Sequence, residues 1–357
     1  MPVQGFSSLV TGGQDTYFAL QDNGFGTLAN SPSYPLRWYR VQPDLDSNKP
    51  HGGPVTILGI VSLSDPDRQY PFPLVQDDPA RTFHGADFDP ESFVRLKDGT
   101  FWVGEEFGPS LLHFDAEGRL LAAPVPIPVT PPLRPYGHGS YFLRTPDNPG
   151  LRFGDHQKSP DELANLPRSG GIEGLARNAD GSLIYASVEK PLRDDPERLR
   201  RSILEFDPAK GSFTSRFWFY RADSEGGSIA SLEAFTDRVF LLIERDENDG
   251  AEAVTKRIYR VDLDDLDDEG YLKKTLICDL LNIRDNLGFT TAEAGALGLG
   301  GNYSFPYVTP ESLVILDPLT LLVCNDNNYP MSTGRRPPST PDDNEFIRIQ
   351  LVDPIQP

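Results

Sequence analysis

Carboxylates recur in this chain at a nearly fixed interval. Fifteen or sixteen residues separate Glu91 from Glu106, Glu173 from Glu189 and Glu311 from Asp326, and fifteen separate Ser7 from Asp22. A fifth pair, Glu233 and Glu244, is only eleven apart, which a shorter hairpin turn would explain. Acids held within several ångströms of one another cannot all stay ionised without compensation, so protons or cations must gather among them. Carboxylate oxygens with no thiolate and little imidazole nearby select Ca²⁺, with Mg²⁺ second, over zinc or copper. Amide oxygens of Asn23 and of the CNDNN run at 324–328 add donors that calcium favours. One column holds Glu91, Glu173, Glu233 and Glu311 and a second Asp22, Glu106, Glu189, Glu244 and Asp326; all but Glu106, a candidate proton acceptor, are the expected ligands. A blade repeat that only caps backbone, or an ion that is only structural, remains an alternative.

Those columns need elements that repeat in register. GFSSLVTGGQDTYFALQDNG from Gly5, DPESFVRLKDGTFWVGEEFG from Asp89, GIEGLARNADGSLIYASVEKP from Gly171, SLEAFTDRVFLLIERD from Ser231 and TPESLVILDPLTLLVCNDNN from Thr309 share one grammar. Each reads as a short strand, a turn carrying Asp, and an apolar second strand ending in polar residues. The Asp-Gly pairs at 98–99 and 180–181 are tight-hairpin signals. Third strands with period-two alternation follow near Leu36, Leu111, Ser202, Lys256 and Glu345, and fourth apolar runs near Val55, Leu120, Phe213 and Leu272. The fold class expected is all-β, a β-propeller with five recognisable four-stranded blades in a single domain over 1–357. The last unit lacks an obvious fourth strand, which an N-terminal segment could supply. Stretches near 131–170 and 282–308 read as long loops, or as cover for a sixth, degenerate blade. In a propeller the first strands line the axis, so both acidic columns should meet at one mouth.

The remaining composition excludes other classes. Among 357 residues, 53 acids stand against 33 bases for a net charge of −20, which repels phosphate backbones and makes nucleic acid a poor partner. No run approaches the roughly 18 apolar residues of a membrane helix. Two cysteines, Cys278 and Cys324, make neither a disulfide scaffold nor a zinc ribbon, and their pairing is open. The opening MPVQGFSSLV has no secretory leader, so the chain is either cytoplasmic or, as calcium and scarce cysteine suit better, exported with its leader absent.

The runs DPESFVRLKDGTFWVGEEFGPSLLHFDAEGRLL, GGIEGLARNADGSLIYASVEKPL, LLIERDE with KRIYRVDL, and LLVCNDNNYP with DDNEF resemble the phytase-like esterase family of bacterial β-propeller proteins, from about Gly5 to Leu351. The resemblance implies a calcium-dependent phosphoric ester hydrolase acting on a small-molecule phosphate ester, either phytase-like or a phosphodiesterase. Ser7, where the other units carry Glu, departs from the pattern. In this reading Glu105 or Glu106 accepts a proton from water, Arg245 and Lys190 contact phosphate oxygens, and His84 serves as an acid or ligand. Arg245 and Lys190 could instead simply pair with neighbouring acids, and His84 could be an ordinary hydrogen-bonding loop residue. No GxSxG elbow, P-loop or HExxH helix occurs. A propeller that binds a partner around a structural calcium, and a propeller lactonase, are the alternatives from other classes. Oligomeric state has no signature.

Overall fold

A computed structural model of the protein describes residues 3–45, 53–76 and 78–357. Met1 and Pro2 of the opening segment lie outside them. Five antiparallel meanders form in chain order. The first holds β1 (Ser8–Gly13), β2 (Thr16–Leu20), β3 (Arg37–Pro43) and β4 (Val55–Ser62), and the second β5 (Pro90–Arg95), β6 (Phe101–Glu105), β7 (Ser110–Phe114) and β8 (Val125–Pro126). The third holds β9 (Ile172–Arg177), β10 (Ile184–Val188), β11 (Arg200–Asp207) and β12 (Ser212–Arg221). The fourth holds β13 (Ser228–Ala234), β14 (Val239–Arg245), β15 (Lys256–Leu266) and β16 (Leu272–Asp279). After a small ladder of β17 (Ile283–Arg284) and β18 (Asn302–Tyr303), the fifth blade holds β19 (Thr309–Asp317), β20 (Thr320–Asp326) and β21 (Phe346–Gln350).

The first strands contact one another in the cycle β1, β5, β9, β13, β19 and back to β1, closing a five-bladed β-propeller. Hairpins are set by turn chemistry: Gly99 and Gly181 take φ of +91° and +79°, and Asp98 Oδ1 accepts from the Thr100 amide at 3.0 Å. The inner strands β5 and β9 and the second strands β6, β10 and β14 are almost wholly buried, the inner strand β1 is only partly so, and β4 and β16 are largely open to solvent. The apolar core is divided accordingly. Five hydrophobic clusters lie one at each blade-to-blade interface, so every blade is held by its two neighbours.

Three expectations change. Among the described residues the fifth blade stays three-stranded, and the N-terminal segment adds no strand to it. Closure comes instead from an apolar interface containing Phe6, Leu9, Val314 and Leu322, with Ser312 Oγ donating to the Phe6 carbonyl at 3.1 Å. No sixth blade occurs among the described residues: 131–170 forms a 3-10 turn (Pro131–Tyr136) and two short helices, α1 (Pro149–Arg152) and α2 (Pro160–Leu163), while 282–308 holds only β17 and β18. Finally, β8 shrinks to two residues because Pro124, Pro126 and Pro128 interrupt its ladder. Cys278 on β16 and Cys324 on β20 are both free thiols.

Trp38 shows how the interfaces hold. Fully buried on β3, it packs at ring-centroid distances of 4.7 Å from Phe101 and 6.3 Å from Phe93, both on the next blade. Trp38→Ala should destabilise the protein by about 3–5 kcal/mol, read as a lowered urea midpoint; a loss below 1 kcal/mol would mean the neighbouring blades collapse into the gap.

Candidate metal and catalytic site

The ladder registers, not the sequence intervals, define the columns. In four blades the first strand carries one bulged residue near its start: Glu91 between Pro90 and Ser92, Glu173 between Ile172 and Gly174, Ala230 between Ile229 and Ser231, and Glu311 between Pro310 and Ser312. Ser7 precedes the first paired residue of β1 and donates its amide to Leu20, taking the same place. Counting along the second strands from the residue opposite each bulge gives the partner column: Asp22, Glu106, Glu189, Arg245 and Asp326. Blade four is therefore the exception. It supplies Ala230 and Arg245, fifteen residues apart like the other pairs, where the sequence reading placed Glu233 and Glu244.

This shift carries Glu233 and Glu244 out of the ring. Glu233 lines a cavity of about 260 Å³ along the propeller axis, beyond Glu173 and beside Arg177. Burial pushes its carboxyl up to about 8, against the opposing pull of Arg177. Glu244 faces outward between blades three and four, where it accepts from Tyr220 Oη, the Asp223 amide and Lys274 Nζ, the last at 2.9 Å.

The remaining acids converge. Ligand atoms of Glu91, Glu173 and Glu311, from three different blades, lie within 4.8 Å of one another. So do those of Glu106, Glu173 and Glu189, and those of Asp89, Glu91 and Glu106. The three groups interlock, since Glu91, Glu106 and Glu173 each belong to two. All six acids are buried, and Glu173 Oε2 and Glu189 Oε2 have no hydrogen-bond partner. Asp22 and Asp326 stand next to this cluster, each fastened to its own turn: Asp22 Oδ1 accepts from the Gly24 amide at 2.8 Å and Asp326 Oδ1 from the Asn328 amide at 2.6 Å. Glycine permits the tight approach of one blade to the next. A Cβ on Gly171 would lie 2.6 Å from Glu106 Cα.

Burial first, then mutual repulsion, raises Glu91, Glu106, Glu173, Glu311 and Asp22 well above the usual carboxylate range. Burial also pushes Asp89 up to about 7 and Asp326 to about 6. The opposing charge is Arg245, whose Nη2 lies 3.3 Å from Glu311, 3.5 Å from Glu189 and 3.7 Å from Glu173. Burial alone would lower its pKa, yet Glu247, Glu189, Glu311 and Glu173 raise it well above the ordinary value.

Of the expected catalytic groups, Glu106 lies in the cluster and Glu105 does not. Glu105 points into the following turn, accepting from the Gly108 amide at 2.8 Å and from Ser110 Oγ at 2.7 Å, and burial pushes it to about 7. His84 is buried in the loop before β5 with Nδ1 3.0 Å from the Thr82 carbonyl; burial lowers its pKa, and it joins none of the acid groups. Lys190 reaches the mouth, 3.4 Å from Glu189 and bonded to Glu247. There a cleft of about 460 Å³ is bounded by Pro167–Ser169 from the long 131–170 insertion and by Glu173, Glu189, Lys190, Gly226, Arg245 and Glu247. Sequence reasoning missed Asp89, Arg168 and Glu247. Asp89 was detectable as the first of the two acids in FDPES, two residues ahead of Glu91; its Oδ1 accepts from the Asn23 amide at 3.0 Å.

A family model described as "Phytase-like: Esterase-like activity of phytase" matches residues 1–329. The chain belongs to that family. An uncharacterised secreted protein of the fungus Arthroderma benhamiae is 27% identical over 272 residues, covering 66% of this chain and 51% of that protein. The chain thus spans about half the length of the curated relative it matches. Among solved structures, a protein from Lactobacillus plantarum is 14% identical with a TM-score of 0.37, covering 90% of this chain and 78% of the other. A luciferin-regenerating enzyme is 9% identical with a TM-score of 0.43, covering 99% and 94%. No helix among the described residues of this phytase-like protein is long and apolar enough to cross a membrane.

Two consequences are measurable. Arg245→Met removes the counter-charge of three buried glutamates and should cost about 3–5 kcal/mol in chelator-treated protein, measured by urea unfolding; an unchanged midpoint would show that the acids are neutral without it. Glu233 tests the axis. A carboxyl near 8 when folded and near 4.3 when unfolded makes the folded state bind the extra proton between those values, so stability falls as pH rises through that window. Glu233→Gln should therefore gain thermal stability relative to the unsubstituted protein on going from about pH 5 to about pH 9, and a pH-independent difference in Tm would contradict the assignment.

Proposed function

We propose that this phytase-like propeller is a Ca²⁺-dependent phosphoric ester hydrolase working at the cleft over its acidic ring. The observation that carries the reading is the interlocked set of buried carboxylates in which Glu173 Oε2 and Glu189 Oε2 are left unpartnered. Buried polar atoms without partners are costly, and an all-oxygen donor set of this kind suits a hard cation. Glu91, Glu173 and Glu311, with Asp89 and Glu106 adjoining, would hold it. When bound, the ion supplies positive charge that draws a phosphate ester to an otherwise repelling surface and makes water a better nucleophile.

The chain's own residues do the rest. Lys190, at the cleft with Arg168, orients the phosphate oxygens and excludes alternative poses. Glu189, whose Oε2 is free and which lines the same cleft, accepts the proton of the attacking water. Arg245 is more deeply placed and sets the field: it keeps Glu173, Glu189 and Glu311 from repelling one another apart. Glu105 holds the β6–β7 turn rather than a proton in flight. The secreted relative supports an exported or periplasmic location, where calcium is plentiful.

Phosphate release from a panel of phosphomonoesters, phosphodiesters and phytate should require added Ca²⁺ and vanish in chelator, and Glu189→Gln should lower kcat by about 100- to 10 000-fold without lowering Tm. Calcium at about 100 times its Kd should also stabilise the fold by about 2.7 kcal/mol. Stabilisation by calcium with no turnover on any phosphoester would leave the ion a purely structural role and remove the hydrolase reading.

A further inference from the structure

The acidic ring has one basic rim, and that rim already holds an anion. Lys190 follows β10, Ser228 opens β13 with its side chain fully buried, and Arg245 ends β14. The three donors converge on a single carboxylate. Lys190 Nζ donates to Glu247 Oε1 and to Ser228 Oγ, Ser228 Oγ donates to the same Oε1 at 3.2 Å, and Arg245 Nη1 donates to Glu247 Oε2 at 3.2 Å. Two oxygens of one anion are thus gripped by an ammonium, a hydroxyl and a guanidinium, the donor set that recognises phosphate-type ligands.

Exposure separates Glu247 from an ordinary ion-pair partner. The Arg245 and Lys190 side chains are 5% and 18% exposed, whereas that of Glu247 is 54% exposed. Buried donors are satisfied by an acid reaching in from solvent. The backbone beneath it is fixed by its neighbour: Asp246 accepts from the Val254 and Thr255 amides at 2.8 and 2.7 Å and pairs with Lys256 at 3.0 Å. Glu247 can therefore leave by rotation about its own side-chain bonds. The donors it uncovers border the cleft of about 460 Å³.

We propose that Glu247 is a resident substitute for an oxyanion, and that a phosphate-type ligand enters the cleft by displacing its carboxylate from Lys190, Ser228 and Arg245. Glu247 then sets how strongly an anion must bind to be admitted, because weakly held anions cannot compete with an attached carboxylate. The proposal rests on the function above for its ligand class, but the exchange itself needs no ion in the ring.

Inorganic phosphate titrated calorimetrically into the full-length protein, Glu247→Ala, Glu247→Gln and the double variant Glu247→Ala with Lys190→Met, in chelator and again with Ca²⁺, tests it. Phosphate should bind at least about tenfold more tightly to Glu247→Ala than to the unsubstituted protein, with a smaller gain for Glu247→Gln, and the double variant should lose the gain. Equal affinities, or a gain that survives Lys190→Met, overturn the proposal. Should Glu247→Ala not fold, Glu247→Gln carries the same comparison. Failure of calcium-dependent hydrolysis would remove the proposed activity, while the displacement stands or falls on the phosphate titration alone.

Discussion

Carboxylates from separate blades share a volume from which water is largely excluded, and that repulsion is the constraint that the rest of the molecule must satisfy. An ionised acid in such a place is destabilising unless something positive lies beside it. The chain provides Arg245 deep in the ring and Lys190 at its edge. Against Asp22, Asp89, Glu91, Glu106, Glu173, Glu189, Glu311 and Asp326, two bases are too few, which is why so many of these carboxyls hold protons more strongly than usual.

Only a rigid frame can keep mutually repelling groups together. The five apolar interfaces provide it, and among the described residues they do so without a strand shared between the ends of the chain. Each acid is also placed by backbone rather than by a flexible arm. The first column sits on bulges at the start of inner strands, where the extra residue turns its side chain toward the axis, and the second column sits at the ends of the adjoining strands. Asp22 and Asp326 accept from amides in the turns they begin, so their own strand ends orient them.

The architecture was legible because blade grammar is local. Alternating polarity and Asp-Gly turns mark each hairpin regardless of what the blade faces, and the five-unit repeat follows from them. Register was harder. Aligning blade four on its acids chose Glu233 and Glu244 and produced an interval of eleven, whereas the apolar–X–small–apolar pattern FSSL, PESF, IEGL, IASL and PESL places Ala230 opposite Glu91, Glu173 and Glu311. Packing fixes the strand and chemistry does not, so the apolar neighbours were the better guide. Asp89 escaped because it belongs to no column: blades one and three have Gly5 and Gly171 at its position. Arg168 comes from an insertion outside the repeat, and Glu247 from the loop after β14.

The irregular blade is also what gives the ring a direction. Five identical acidic pairs would gather cations but offer an incoming anion nothing except repulsion. Blade one lacks only its first acid, at Ser7, whereas blade four replaces both members of its pair by Ala230 and Arg245, and that side also carries Lys190, Ser228 and Glu247. The cleft opens at that boundary between blades three and four, lined by Glu173 and Glu189 toward the acids and by Lys190 and Arg245 toward the rim. A ligand bearing negative oxygens then meets a gradient of charge instead of a uniform wall, and only one approach brings it to the donors. Departure from the repeat in blade four, more than the repeat itself, is therefore what makes this mouth able to receive an anion.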